Sequence, residues 1–210
     1  MKWWTPTAPW IIESTMKKLN IILWGAVAVF AALFGYLAWQ SQQGGSKVAA
    51  LDIGGPFTLA SSKGGTLSSE SLKGTPYAVF FGFTHCPVVC PTTLYEMDTA
   101  FKALGDDGKD LRMFFISVDP EQDTQEYMAN YVANFDPRIE GLIPTLDQLP
   151  GLAKAFRVFY EKVPTSDGGY TMNHTATVFL FNRAGKFAGT IAFDEDPKMR
   201  VEKLRRLAKG

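Results

Sequence analysis

The most constraining feature of the sequence is the junction between an apolar run, Tyr77–Phe83, and a pair of closely spaced cysteines. An uninterrupted run of aromatic and branched side chains is typical of a strand that is buried on both faces. Pro91 suits the first turn of a helix, and Leu94, Met97 and Phe101 then recur at helical spacing. The junction therefore predicts a strand–loop–helix unit of an α/β fold, with the cysteines at the start of a helix that ends near residue 104.

The patterns in the rest of the chain favour a thioredoxin-like arrangement. They predict, in order, an N-terminal β-hairpin within 52–72, a second buried strand at Leu111–Val118, helices at about 123–134 and 145–156, an antiparallel pair at Thr175–Phe181 and Lys186–Phe193, and a helix that opens at Asp196. We therefore predict a thioredoxin-like α/β domain over residues 51–210, with an N-terminal β-hairpin and an insertion between residues 120 and 160.

Residues 21–39 form an apolar run without a charged side chain, about the length that spans a bilayer as a helix. Lys17 and Lys18 precede this run, so the positive-inside rule places residues 1–20 in the cytoplasm and the domain on the far side. A cleaved signal peptide is the alternative, but its apolar core is usually shorter, at roughly 7–15 residues. We predict one uncleaved transmembrane helix at 21–39 and a polar linker at 40–50.

The first arginine of the chain is Arg112, so an Arg-rich mitochondrial transit peptide is absent. This absence favours a bacterial inner membrane, with a single pass and the C-terminal domain in the periplasm. Met16 precedes two lysines and would begin a more typical leader than Met1, so we expect translation to start there. Lys plus Arg and Asp plus Glu both number 21, and a net charge of zero gives no reason to expect a nucleic-acid partner.

Cys86 and Cys90 are the only cysteines of the chain, and His85 and His174 are its only histidines. A helix N-terminus offers free N–H groups and a partial positive charge, which both favour thiolate over thiol. Two thiolates and an imidazole suit copper or zinc better than magnesium or calcium. In a thioredoxin fold the loop before the strand at 175–181 approaches the start of the first helix, which favours His174 over His85 as the third ligand.

Three interpretations of the cysteine pair remain open on the residues alone: a structural disulfide, dithiol redox chemistry and a metal site. An oxidising compartment favours a disulfide, but one that closes so short a loop restrains little of the unfolded chain. Three residues separate Cys86 from Cys90, whereas thioredoxin-like oxidoreductases have two. We expect metal binding, with a redox-active Cys86–Cys90 disulfide as the alternative, and the ligands alone would accept zinc as well as copper.

Three separate segments together resemble the Sco/SenC family of copper proteins: Gly82–Leu94 (GFTHCPVVCPTTL), Ile116–Thr124 (ISVDPEQDT) and Asn173–Asn182 (NHTATVFLFN). The resemblance covers about residues 50–205. It implies a thioredoxin-fold copper metallochaperone that assists assembly of the binuclear copper centre in cytochrome c oxidase subunit II. Such a protein would donate copper, reduce the cysteines of that subunit, or do both.

Carried over by position, the resemblance implies that Cys86, Cys90 and His174 are the ligands of one copper ion, Cu(I) or Cu(II). Asp119 falls where the family has an acidic residue near the site, although an aspartate that caps a loop is an equally good interpretation. Val88 stands where the family often has an acidic residue, which leaves the ligands intact but removes a charge beside them. The expected partners are cytochrome c oxidase subunit II, another periplasmic copper chaperone and the membrane.

The sequence contains no Ser-His-Asp order and no phosphate-binding glycine loop, so we predict a protein that is not an enzyme. The second hypothesis is a membrane-anchored thiol–disulfide reductase that acts on periplasmic cysteines. A peroxidase-like enzyme would need an arginine near its reactive cysteine, and residues 77–104 contain none. A copper or redox sensor is the fourth hypothesis, and the sequence does not distinguish it from a chaperone.

Overall fold

The computed structural model describes residues 22–36 and 53–210. The chain divides into two compact units, residues 1–50 and 51–210. In the first unit, residues 22–36 are helical and exposed. Among the described residues, no helix combines the length and apolar character needed to cross a membrane. Both ends of the predicted anchor (residues 21 and 37–39), the predicted cytoplasmic segment 1–20 with Met16, and the predicted linker 40–50 lie outside the described residues, so these remain predictions.

The described part of the second unit contains nine strands and four α-helices. In chain order they are β1 (Thr58–Ser61), β2 (Thr66–Ser68), β3 (Tyr77–Gly82), α1 (Val89–Leu104), β4 (Arg112–Ser117), α2 (Gln125–Val132), β5 (Ile139–Ile143), α3 (Gln148–Phe156), β6 (Tyr160–Pro164), β7 (Tyr170–His174), β8 (Thr177–Phe181), β9 (Phe187–Ala192) and α4 (Pro197–Lys209). Seven strands form one sheet in the order β2-β1-β5-β4-β3-β8-β9, and β6 and β7 form a separate pair.

Strand β3 lies inside the sheet, next to the central strand β4, and all six of its residues are buried. It runs parallel to β4 and antiparallel to β8, with Phe80 opposite Phe115 on one side and Val178 on the other. On one face Phe156 of α3 packs edge-on against Phe81, with ring centroids 5.2 Å apart. Each fully buried side chain of this size contributes roughly 1.5–3 kcal/mol, so this aromatic layer fixes the strand that leads to the cysteines.

The two buried strands, the helix after the cysteines and the antiparallel β8–β9 pair lie where the sequence predicts them. Helix α1 begins at Val89 rather than at Pro91, so the proline lies within its first turn. Because the helix starts earlier, Cys90 belongs to the helix while Cys86 lies in the loop before it.

Strand β5 lies inside the predicted insertion and was not predicted as a strand. It runs parallel to β4 and contains Glu140, which is 4% exposed. The Glu140 carboxylate accepts hydrogen bonds from Ser61 Oγ at 2.6 Å and from Arg112 Nη2 at 3.0 Å. A charged residue at the second position of a five-residue strand hides the apolar pattern, and only its tertiary partners explain its burial.

The separate β6–β7 hairpin was also missed, because its strands do not alternate clearly. It pairs Tyr160 with His174 and Lys162 with Met172, and every strand residue in it is half-buried or exposed. His174 was expected in a loop before β8, and it is instead the last residue of β7.

Candidate metal centre

The two cysteines lie on either side of the N-terminus of α1, and both are free thiols. Cys90 is fully buried, whereas Cys86 is half-buried. The backbone N–H of Cys90 donates to the Sγ atom of Cys86, with 3.4 Å between the two heavy atoms. The helix N-terminus is therefore directed at one of the two sulfur atoms, as its unpaired N–H groups and positive dipole end favour.

His174 completes the cluster from the end of β7. Its Nε2 atom lies 3.6 Å from Cys90 Sγ, and its Nδ1 atom lies 3.1 Å from the carbonyl oxygen of Thr175. A carbonyl can only accept, so the Nδ1 hydrogen is donated to it and the Nε2 lone pair faces the cysteines. Phe80 and Phe83 contact the imidazole edge-on, with centroid distances of 6.1 Å and 5.8 Å, and these rings hold its orientation.

The two thiols differ strongly in acidity. A hydrogen bond from the Cys90 thiol lowers the pKa of Cys86, and contacts with His174 and with the backbone N–H groups of Cys90 and Val88 lower it further. The same interaction raises the pKa of Cys90, and burial raises it again. In the metal-free protein Cys86 is therefore the thiolate and Cys90 keeps its proton, which a thiophilic metal would displace on binding.

Gly82, the last residue of β3, lies against the buried cysteine. A Cβ atom at this position would stand 2.7 Å from Cys90 Sγ and 2.6 Å from Cε2 of Phe115. Both distances are shorter than real carbon contacts, so a larger residue would displace the sulfur or the ring. In the sequence, a glycine among the aromatic and branched residues of the apolar run Tyr77–Phe83 was the one sign that another side chain approaches the backbone here.

Asp123 fixes the loop that carries Cys86. Its carboxylate is fully buried and accepts hydrogen bonds from the Thr84 backbone N–H at 3.1 Å, from Thr84 Oγ1 at 2.5 Å and from Ser117 Oγ at 2.5 Å. Burial raises the pKa of the Asp123 carboxyl. Thr124, and not Asp123, caps α2, since its side chain accepts a hydrogen bond from the Tyr127 backbone N–H. Asp123 instead joins the end of β4 to the residues just before Cys86.

The side chains of His85 and Val88 lie beside the cluster and are not among its ligand atoms. His85 stacks on Tyr127, with ring centroids 4.9 Å apart, and its Nδ1 atom lies 3.1 Å from Thr84 Oγ1. The group of candidate ligands accordingly contains His174 and not His85. Val88 is 60% exposed immediately before α1, so its side chain faces solvent next to the thiolate.

Asp119 contacts the hairpin that carries His174. Its Oδ1 atom accepts a hydrogen bond from Tyr170 Oη at 3.1 Å, and its Oδ2 atom accepts one from Gln122 Nε2 at 2.9 Å. The backbone carbonyl of Asp119 also accepts from the backbone N–H groups of Gln122 and Asp123, at 3.1 Å and 3.0 Å. Asp119 thus stabilises its own turn, and its carboxylate also contacts the hairpin that carries His174.

The donor set fits a single thiophilic ion. The ligand atoms of Cys86, Cys90 and His174 lie within 4.8 Å of one another, and within the part of the chain that the structure describes they form the one such group of three or more. Ligand atoms that bind copper or zinc at about 2.0–2.3 Å lie roughly 3.3–4 Å from one another. The three side chains therefore need to move only slightly closer together to bind one ion. Sulfur and imidazole donors suit copper or zinc.

Comparison with known proteins gives a consistent result. The SCO1/SenC family description matches residues 46–209. The SCO2-like protein of Rickettsia felis is 34% identical over 155 residues, which is 73% of this chain and 76% of the relative. The mitochondrial SCO1 homolog of Homo sapiens is 38% identical over 138 residues, which is 64% of this chain but 46% of the human protein.

The fold also matches that of solved Sco structures. The copper-bound structure of Bradyrhizobium japonicum ScoI superposes with a TM-score of 0.68 and 43% identity, and covers 74% of this chain and 99% of that protein. The predicted mixed α/β, thioredoxin-like fold of the domain is therefore confirmed.

Proposed function

The chain belongs to the SCO1/SenC family, and from that premise we propose that it is a copper metallochaperone that carries one copper ion on Cys86, Cys90 and His174. The observation that carries this proposal is the convergence of these three donors, from the loop before α1, its first turn and the end of β7, to within 4.8 Å. The copper bound to ScoI, which is 43% identical, supports copper rather than zinc as the ion.

The proposed recipient is the binuclear copper centre of cytochrome c oxidase subunit II, with another periplasmic copper chaperone as the donor. Transfer to a protein acceptor requires only ligand exchange at the copper, without a change of oxidation state. Cys90 is fully buried, whereas Cys86 and His174 are half-buried, so an incoming ligand approaches from the side of these two residues. Soft donors hold Cu(I) tightly and still allow one ligand at a time to be replaced.

The proposed location is a bacterial inner membrane, with residues 21–39 as the anchor and the domain in the periplasm. The uncharged run and the two lysines before it support this arrangement. The bacterial relatives in Rickettsia felis and Bradyrhizobium japonicum are consistent with it. Confinement to the membrane of the oxidase would raise the effective concentration of the carrier near its recipient.

The test uses the full-length protein in a mild detergent, loaded with copper and freed of excess metal. We expect one copper per chain, and we expect transfer to the copper-free soluble domain of subunit II to appear as copper in that domain, measured by metal analysis after the two proteins are separated. The Cys86→Ser variant should carry no tightly bound copper and transfer none. A wild-type protein that retains no copper after chelation would overturn the proposal.

A second function is favoured by the difference in acidity between the two thiols. The Cys86 thiolate would attack a disulfide of a partner and release one partner sulfur as a thiolate. Cys90, after losing its proton, would then attack Cys86 Sγ and release the second partner thiolate. The partner gains two electrons and the chain is left with a Cys86–Cys90 disulfide. In a Cys90→Ser variant the mixed disulfide should accumulate, while His174→Ala should leave the rate of reduction unchanged.

A further inference from the structure

The β6–β7 hairpin presents one face of β7 to the body of the domain. Side chains alternate along a strand, so Tyr170, Met172 and His174 share that face. Met172 packs against the hydrophobic core in the middle of the face, and His174 reaches Cys90 at one end. Tyr170 lies at the other end, about 13 Å from His174 along the strand, too far to be a ligand itself.

Tyr170 fastens its end of the hairpin to the turn that follows β4. Its Oη atom donates to Oδ1 of Asp119 at 3.1 Å, and Asp119 is only 3% exposed. On the neighbouring strand, Lys162 Nζ lies 3.8 Å above the centroid of the Tyr170 ring and 2.7 Å from Oε2 of Glu121. Two carboxylates of one turn thus hold the two strands of the hairpin.

The Tyr170–Asp119 hydrogen bond and the Lys162–Glu121 ion pair differ in strength. The Lys162 and Glu121 side chains are 46% and 51% exposed, and ion pairs in solvent contribute little to stability. The Asp119 carboxylate is buried, and loss of a hydrogen bond to a buried charged acceptor leaves that acceptor poorly satisfied. The Tyr170 hydroxyl is therefore the dominant polar contact at the end of the hairpin remote from the metal ligands.

The Tyr170 end of the hairpin depends on this contact because the packing against the core comes from Tyr160, opposite His174, and from Met172 in the middle. The hairpin lies outside the seven-stranded sheet, and none of its strand residues is fully buried. An isolated two-stranded hairpin is marginally stable at best in water. At its base, Thr175 N–H donates to the Phe159 carbonyl oxygen and Phe159 N–H donates to Thr175 Oγ1, both at 3.0 Å, but these bonds lie at the end opposite to Tyr170.

We propose that Tyr170 is a positioning residue for the copper site: by docking the remote end of the β6–β7 hairpin on Asp119, it fixes His174 against Cys86 and Cys90. Contacts of Tyr170 at one end and of Met172 in the middle set the position of His174 at the other end of the strand. Release of the Tyr170 end loosens the imidazole and leaves both thiolates in place. This inference rests on the proposed function, because it assigns a role in copper binding to a residue that does not touch the metal.

The test compares Tyr170→Phe with Tyr160→Phe in the full-length protein. Both changes remove one hydroxyl from the same hairpin, but Tyr160 lies directly opposite His174, and its hydroxyl makes no hydrogen bond within the described residues. We expect Tyr170→Phe to weaken Cu(I) binding by about 10-fold, measured by competition with a chromophoric chelator, as loss of one hydrogen bond to a carboxylate predicts. Tyr160→Phe should bind Cu(I) as the wild type does.

Two further readouts separate positioning from general destabilisation. In metal-free Tyr170→Phe, amide hydrogen exchange should accelerate across residues 160–174 and stay unchanged in β3 and α1. With Cu(II) bound, the electron paramagnetic resonance spectrum should show a second species with weaker nitrogen coupling. The effects of Tyr170→Phe and Asp119→Asn should not add, because both break the same contact.

The outcomes distinguish this inference from the function on which it rests. Wild-type protein that binds no copper would overturn the proposed function and the inference with it. Wild-type protein that binds one copper through His174, together with a Tyr170→Phe variant of unchanged affinity, spectrum and exchange, would overturn the inference alone. An equal loss of Cu(I) affinity in Tyr160→Phe would also overturn the inference, because the loss would then come from packing rather than from the contact with Asp119.

Discussion

The Nε2 atom of His174 lies 3.6 Å from the Sγ atom of Cys90, although 84 residues separate the two along the chain. The register of the sheet explains this proximity. Strand β8 runs antiparallel to β3, with Val178 opposite Phe80, so the residues that precede β8 meet the residues that follow β3. The metal centre therefore forms where the end of one strand meets the beginning of its neighbour.

The two histidines provide a matched pair for testing the third ligand. His174→Ala should weaken Cu(I) binding by at least about 10-fold and remove the nitrogen coupling from the Cu(II) spectrum, because it removes a ligand of the ion. His85→Ala should preserve both, since His85 stacks on Tyr127 outside the cluster. Measurements are chelator competition and electron paramagnetic resonance. Unchanged copper binding in His174→Ala would show that the site lacks this ligand.

The lowered pKa of Cys86 predicts selective alkylation at mildly acidic pH. At pH 6 iodoacetamide should modify Cys86 before Cys90, because Cys86 is the thiolate and the more exposed of the two. Cys90→Ala removes the hydrogen-bond donor that lowers the pKa of Cys86, so the rate at pH 6 should fall if that pKa rises above 6, by about 10-fold for each unit beyond it. The site and rate of modification are measured by mass spectrometry.

Two comparisons control this experiment. Cys90→Ser keeps an O–H donor and should slow alkylation of Cys86 less than Cys90→Ala does. At pH 10, where an ordinary thiol is ionised as well, the variants should react at similar rates. Preferential labelling of Cys90 at pH 6 would contradict the assignment of the thiolate.

Gly82→Ala should crowd Cys90 and thereby strain the metal centre. The added methyl group would stand 2.7 Å from Cys90 Sγ and 2.6 Å from Phe115, and overpacking of this kind costs about 1–3 kcal/mol. We expect a Tm lower by about 2–4 °C for each kcal/mol and weaker Cu(I) binding, measured by calorimetry and chelator competition. Gly151→Ala is the control: it lies in helix α3, and apart from its own helix backbone and chain neighbours no atom of the described residues lies within 4 Å of the added carbon. Its Tm should stay the same or rise.

The pairing of Asp136 with Arg138 should make the free energy of unfolding depend on pH. The Asp136 carboxylate binds the Arg138 guanidinium through two contacts of 2.7 Å, and this pairing lowers the pKa of Asp136. A depressed folded-state pKa contributes stability above the unfolded value of about 3.9, and that contribution is lost as pH falls through the folded value. Asp136→Asn should therefore cost about 2 kcal/mol at pH 7, and the difference from wild type should shrink below pH 4.

The exposed pair formed by Glu70 and Lys73 is the control for this titration. Their side chains are 67% and 72% exposed, and pairs of this kind contribute about 0–1 kcal/mol. Glu70→Gln should leave the free energy of unfolding nearly unchanged between pH 4 and pH 8, as measured by urea denaturation. If Asp136→Asn behaved in the same way, the bidentate contact with Arg138 would not contribute to stability.

Local patterns were sufficient wherever neighbouring residues decide the outcome. The apolar run of β3 was correctly predicted to be a buried strand, and the helical spacing after Pro91 located α1 to within two residues. The β6–β7 hairpin was not predictable in this way, because strands that face solvent on one side and a small contact area on the other carry little periodicity.

The sequence by itself determined that a strand–loop–helix unit carries two cysteines at a helix start, where thiolates are favoured, and its three segments identified the family. Tertiary structure decided which cysteine holds the charge, because the Cys90 thiol donates to Cys86 and is the more deeply buried of the two. It also decided the contacts of Asp119, Asp123 and Tyr170, because hydrogen bonds between distant segments leave no trace in local spacing. The ligands could be named from the chain, but the residues that hold them in place follow from the packing of the sheet.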